Sequence, residues 1–193
     1  MCKLIIDNNA NTFGLPPSLI IPIAAKSITA IKTHVGDIID RSQNGAAFVV
    51  NFEPLESPND LPVWRNRRAN LINCNKQIWV HVDYMSYRNF YKQKFGDSSL
   101  SQYVVDHIMN RRLARIYGYE YVRLIHVSRG ANSSSGRGPE NESVKYAGGN
   151  LPEKERQSVI VYADPSDLVK MLDIKTEGFP LDPVRDAMNM FYP

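Results

Sequence analysis

The side chains able to do acid–base or metal chemistry are few, and their spacing narrows the choices. There are four histidines, His34, His81, His107 and His126. An imidazole titrates near neutrality and can act as general base, general acid or metal ligand. His34 lies in an amphipathic stretch with no acid before Asp37, and His126 in an apolar run, so both read as structural. His81 and Asp83 form an H-x-D pair that a β-strand would present on one face, a weak signal for a metal pair. His107 has the richest company. Asp106 precedes it, a basic run follows, and an apolar segment then leads into Val127-Ser128-Arg129-Gly130-Ala131-Asn132-Ser133-Ser134-Ser135-Gly136.

Six arginines, Arg111, Arg112, Arg115, Arg123, Arg129 and Arg137, fall in this stretch with no lysine and one acid, Glu120. A guanidinium can grip phosphate through two parallel hydrogen bonds, so the run reads either as a phosphate-facing surface or as a solvated basic face. Hydrolysis of a phosphodiester needs a nucleophilic hydroxide, neutralised charge at the phosphate and help for the leaving oxygen. A neutral imidazole suits the first task, and Asp and Asn oxygens suit a hard divalent cation for the second.

The order Val105-Asp106-His107-Ile108, then a second strand-like segment, then the Ser128–Gly136 turn resembles the HNH, or His-Me finger, endonuclease superfamily. The resemblance spans Val104 to Gly136 and is moderately specific, because each half is common but the order and spacing agree. It implies a strand–strand–helix (ββα-metal) finger with Asp106 as ligand to Mg²⁺ or Mn²⁺, His107 as general base and Asn132 as second protein ligand. Arg111, Arg112, Arg115, Arg129 and Arg137 would then clamp nucleic-acid phosphates. Two positions depart from the family's pattern. Arg123 stands where an asparagine usually braces the loop bearing the histidine, so it either braces or contacts phosphate. Ser135 stands where lysine is common.

The elements that must position these residues are those of an α+β protein. A helix is expected from Pro16-Pro17-Ser18 to Gly45, with Ile23, Ile28, Ile31, Val35, Ile38 and Ile39 at near-helical spacing. Strands are expected over Ala46–Phe52, Gln77–Asp83, Tyr103–His107, Tyr119–Val127 and Ser158–Tyr162. Ser86–Phe95 reads as a basic, aromatic helix, Ser128 as the cap of a short helix, and Asp164-Pro165 as the cap of a helix from Ser166 to about Ile174. Ile108–Gly118 reads as helix or loop. A single helix over Ser99–Tyr117 is the alternative, since no proline or glycine interrupts it. Glu53–Pro62, Gly136–Pro152 and the tail from Glu177 read as turn-rich connections.

The whole is expected to be one domain: an N-terminal α+β portion (1–95), the finger (96–150), and a C-terminal strand–helix and tail on the same core (151–193). At 193 residues, with 43% hydrophobic and 22% charged residues, the chain can bury a sizeable core. A net charge of +3 specifies no partner. Two cysteines, Cys2 and Cys74, exclude a four-cysteine zinc site or a disulfide framework and fit a reducing compartment. No apolar run approaches the roughly 18 residues of a membrane span. Leu19–Ala25 lacks the flanks of a signal peptide, so the expected site of action is cytoplasmic, although a specialised secretion system would leave the same pattern.

The function expected is therefore a divalent-metal-dependent endonuclease of low sequence specificity, acting on DNA in preference to RNA. Defence, mobile-element and toxin settings all fit, and so does an inhibitory or complex-forming protein partner. The rivals are a non-catalytic nucleic-acid-binding protein, a metal-independent ribonuclease using His107 with His81, and an assembly protein whose basic face binds an acidic partner. Two basic-aromatic clusters could extend a nucleic-acid groove or simply anchor the core: Trp64 with Arg65, Arg67 and Arg68, and Tyr87-Arg88 with Phe90-Tyr91-Lys92.

Overall fold

The computed structural model describes residues 21–52, 76–96, 103–137 and 158–164, together with Asp167, Lys170 and Met171 on helical backbone. In chain order the elements are β1 (Pro22–Ala25), α1 (Ile28–His34), β2 (Gly36–Arg41), β3 (Ala47–Phe52), β4 (Lys76–His81), α2 (Tyr87–Phe95), β5 (Tyr103–His107), α3 (Arg111–Ile116), β6 (Tyr121–Ser128), α4 (Arg129–Arg137) and β7 (Ile160–Tyr162). The expectations for Glu53–Pro62, for Trp64 and its arginines, for most of Gly136–Pro152 and for the tail from Glu177 lie outside the described residues.

The fold is mixed α+β, a curled antiparallel sheet in the order β2-β3-β4-β6-β1-β7 with β5 joined to β6. β6 is the axis. Its first half lies between β4 (Trp79 opposite Arg123) and β1 (Ala24 opposite Val122). Its second half carries β5, with Tyr103 opposite Ser128 and His107 opposite Leu124. Both faces of the sheet are covered. Ala47, Val49, Ile78, Val80, Val122 and Leu124 point toward α2 and its Tyr87, Phe90 and Tyr91. Phe48, Val50, Trp79 and Tyr121 point the other way, toward Ala30, Ile31 and Val35 at α1. Both faces being covered, β3, β4 and β6 are buried along nearly every residue and lack clean alternation.

The single helix expected up to Gly45 does not form. The segment from Ile21 folds instead as strand, short helix and strand. Ser27 starts α1 by accepting from the Ala30 amide at 3.1 Å, and Ile38 and Ile39 enter β2, where β-branched side chains fit. Gly36 makes the entry possible, because a Cβ there would lie 1.9 Å from the Asn51 carbonyl oxygen. The alternative single helix over Ser99–Tyr117 is likewise absent, since Tyr103–His107 is strand β5. The helix-or-loop segment resolves as α3, which Asn110 opens by accepting from the Arg112 amide at 2.8 Å. It closes with Gly118 at φ 75°, Gly118 N–H donating to Arg115 O and Tyr119 N–H to Ala114 O. That paired closure with a left-handed glycine turns the chain back into β6.

Candidate active site

Asp106 and His107 end β5, and the chain leaves the strand immediately after them. His107 is 4% exposed, paired with Leu124 in the sheet, its ring 4.4 Å from that of Tyr87 on α2. Among the described residues its buried Nε2 has no hydrogen-bond partner. Its Nδ1 lies 3.8 Å from Asp106 Oδ1, too long for a hydrogen bond. The Asp106 carboxylate is 25% exposed, and its Oδ2 lies 2.9 Å from Lys170 Nζ. Lys170, 3% exposed, also donates to the His107 carbonyl at 2.8 Å.

These neighbours set the charges. Burial pushes the His107 imidazole below its ordinary 6.5; Asp106 opposes that shift, while the Arg111 and Lys170 cations add to it. The ring is therefore neutral at pH 7, the form a general base needs. Burial alone would raise the Asp106 carboxyl. The His107 ring and the Lys170 ammonium outweigh it and hold the group well below the usual carboxylate range.

The predicted second ligand, Asn132, is half-buried in the first turn of α4. Ser128 opens that helix as expected, its hydroxyl accepting from the Ala131 amide at 3.2 Å. The helix packs against both β5 and β6, in the chain order β5, α3, β6, α4. Arg123 is 2% exposed in the middle of β6, so it is not the surface phosphate contact that one reading gave it. The Ile108 amide donates to the Arg123 carbonyl at 3.0 Å, a main-chain bond that does not depend on the side chain at 123.

The basic residues divide. Arg111 is half-buried beside Tyr87, 5.8 Å from the ring centroid, and is near enough to His107 to lower its proton affinity. Arg88 reaches the same ring at 4.9 Å. Arg112 is exposed. Arg115 is not a free clamp: its Nε and Nη2 donate to Asp83 Oδ1 at 3.0 and 2.6 Å, and Nη2 donates to Val82 O at 3.1 Å. This contact holds the Asp83 carboxyl below its ordinary range and ties α3 to the turn before α2. Arg129 is exposed just beyond Ser128, which lies four strand positions from the His107–Leu124 pair, or roughly 13 Å at strand spacing. Arg137 closes α4.

The H-x-D pair does not share a strand face, because β4 ends at His81 and Asp83 lies in the following turn. His81 and His107 are also separated. His81 pairs with Tyr121 and meets that ring at 5.4 Å on the α1 face, whereas His107 packs on Tyr87 on the α2 face. The two-histidine ribonuclease arrangement is therefore not formed. His126 is packed as expected, its Nδ1 2.8 Å from the Tyr91 hydroxyl.

Sequence reasoning missed Lys170. The Asp164 cap of its helix was legible, and the structure shows Asp164 and Asp167 capping each other's amides. Nothing in the local sequence marks a lysine that reaches a residue 63 positions away.

Among the described residues no group of three or more His, Cys, Asp or Glu side chains converges on one point. Also among the described residues, no helix is long and apolar enough to cross a membrane. No protein-family model, no curated protein and no solved structure matches this chain.

Proposed function

We propose that this protein is a divalent-metal-dependent endonuclease that hydrolyses nucleic-acid phosphodiester bonds with little sequence preference. The observation that carries the reading is the setting of His107: an imidazole at a strand end, its proton affinity lowered by burial, its Nε2 buried without a partner among the described residues and its Nδ1 3.8 Å from the Asp106 carboxylate. A buried polar atom left unsatisfied costs stability, and a nitrogen that accepts a proton from a bound water would recover that cost. The strand–strand–helix order around it supports an HNH-like finger.

The donor set fits a hard cation in kind, an Asp carboxylate and an Asn amide oxygen. Such an ion, bound by Asp106 and Asn132, would supply charge neutralisation at the phosphate. Asp106 already has the Lys170 ammonium at 2.9 Å, so the carboxylate is compensated before any ion arrives. On this reading His107 takes a proton from the attacking water. Arg111, next to His107, and Arg112, exposed on the same helix, hold the backbone phosphates in register.

The test is cleavage of plasmid, single-stranded DNA and RNA by the full chain in Mg²⁺, in Mn²⁺ and in EDTA. His107→Ala should lose about 10²-fold or more of the rate, the contribution typical of a general base. Asn132→Ala should raise the metal concentration required. A wild type inert under every condition would falsify the enzymatic reading. The Lys170 contact favours one rival in that event, a nucleic-acid-binding protein without catalysis, which binds in EDTA and cuts nothing.

A further inference from the structure

Resting on the metal-dependent reading above, we infer that Lys170 is an internal cation that competes with a divalent ion for the Asp106 carboxylate, so that ion binding displaces the lysine. Lys170 is among the few charged side chains buried in the described structure, at 3% exposure. Its Nζ sits 2.9 Å from Asp106 Oδ2 and 2.8 Å from the His107 carbonyl oxygen, so both contacts fall on the candidate ligand–base dipeptide. An ammonium removed from water needs such partners, which keeps Lys170 on Asp106 while nothing else neutralises that group.

A divalent ion on the same carboxylate would lie a few ångströms from the ammonium, in surroundings that screen charge poorly. Like charges at that distance repel strongly, so the two cations cannot both hold Asp106 at full strength. The metal-free protein is thus already charge-balanced, and ion affinity is set by how readily Lys170 lets go. A substrate phosphate bringing negative charge beside the pair would ease that exchange.

The experiment uses Mn²⁺ alone, without nucleic acid, titrated into the full chain and followed by the paramagnetic resonance signal of the free ion. Ion bound at this site is the fraction lost in Asp106→Asn. Lys170→Met should bind about tenfold or more tightly, the scale set by removing a like charge next to a bound cation. In parallel, acylation of wild-type Lys170 by acetic anhydride, read by mass spectrometry, should rise when Mn²⁺ is added. That second measurement stands even if Lys170→Met does not fold. Equal Mn²⁺ affinity in wild type and Lys170→Met, or Lys170 labelling indifferent to bound Mn²⁺, overturns the competition and leaves the nuclease reading standing. No Mn²⁺ lost in Asp106→Asn overturns both.

Discussion

At His107 burial and a nearby acid pull the imidazole's proton affinity in opposite directions, and burial prevails. The folded protein then binds fewer protons than the unfolded chain once pH falls below the ordinary value of 6.5. A lowered folded pKa makes this contribution present above that pH and lost as pH falls through it. Thermal melts should therefore show the melting temperature dropping between pH 7 and 5, and His107→Gln should flatten that slope. An unchanged slope in His107→Gln would show that another group titrates. Asp106, also lowered, acts in a separate window below its ordinary 3.8. The Asp106–Lys170 pair gives a second prediction at this scale. Removing one partner leaves a buried charge without its counter-ion, so Asp106→Leu should cost about 3 kcal/mol in urea unfolding, the low end of the range because the carboxylate is partly exposed. The double variant Asp106→Leu with Lys170→Met should recover most of that loss. Additive losses in the double variant would mean that the contact contributes little coupling.

Gly36, at the start of β2, faces the Asn51 main chain, and a Cβ there would sit 1.9 Å from the carbonyl oxygen. Backbone cannot move aside as a flexible side chain can, so Gly36→Ala should destabilise by about 2 kcal/mol or more. Equal stability of the two proteins in chemical denaturation would mean that β2 shifts at no cost. The same position shows why part of the fold escaped the sequence. The isoleucines from Ile23 to Ile39 recur at helical spacing, yet Ile38 and Ile39 are strand residues, and the close approach at Gly36 depends on β3, distant in sequence. Tertiary packing overrode a periodicity. β5, β6 and the Ser128 cap were legible because their signals are local: β-branched runs, a capping hydroxyl, a turn glycine. At the site, Asp106, His107 and Asn132 could be picked out by type and spacing. Lys170, Tyr87 and the burial of Arg123 could not, because each depends on which strands lie beside β6.

In the whole molecule, β6 pairs with β1 from the beginning and with β4 and β5 from the middle of the sheet-forming chain, so β5 and β6 belong to the main sheet. Two packed cores, one on each face, hold that strand fixed. The net charge of +3 is too small to steer nucleic acid by itself, so on the proposed reading binding comes from local guanidinium groups. Here the structure separates residues that composition treats as equal. Arg112 is exposed, whereas Arg115 has its guanidinium on Asp83 and the Val82 carbonyl. Binding to duplex DNA in EDTA should weaken with salt, and each phosphate neutralised adds about 0.9 to the slope of log affinity against log salt. Arg112→Ala should lower that slope by about one such step, and Arg111→Ala by a comparable amount. Arg115→Ala should leave the slope nearly unchanged while loosening α3, seen as faster amide exchange at Ala114 and Tyr117, whose amides donate within that helix. If Arg115→Ala reduces the slope as much as Arg112→Ala does, then Arg115 leaves Asp83 for phosphate in the complex, and α3 is a mobile clamp instead of a tethered one.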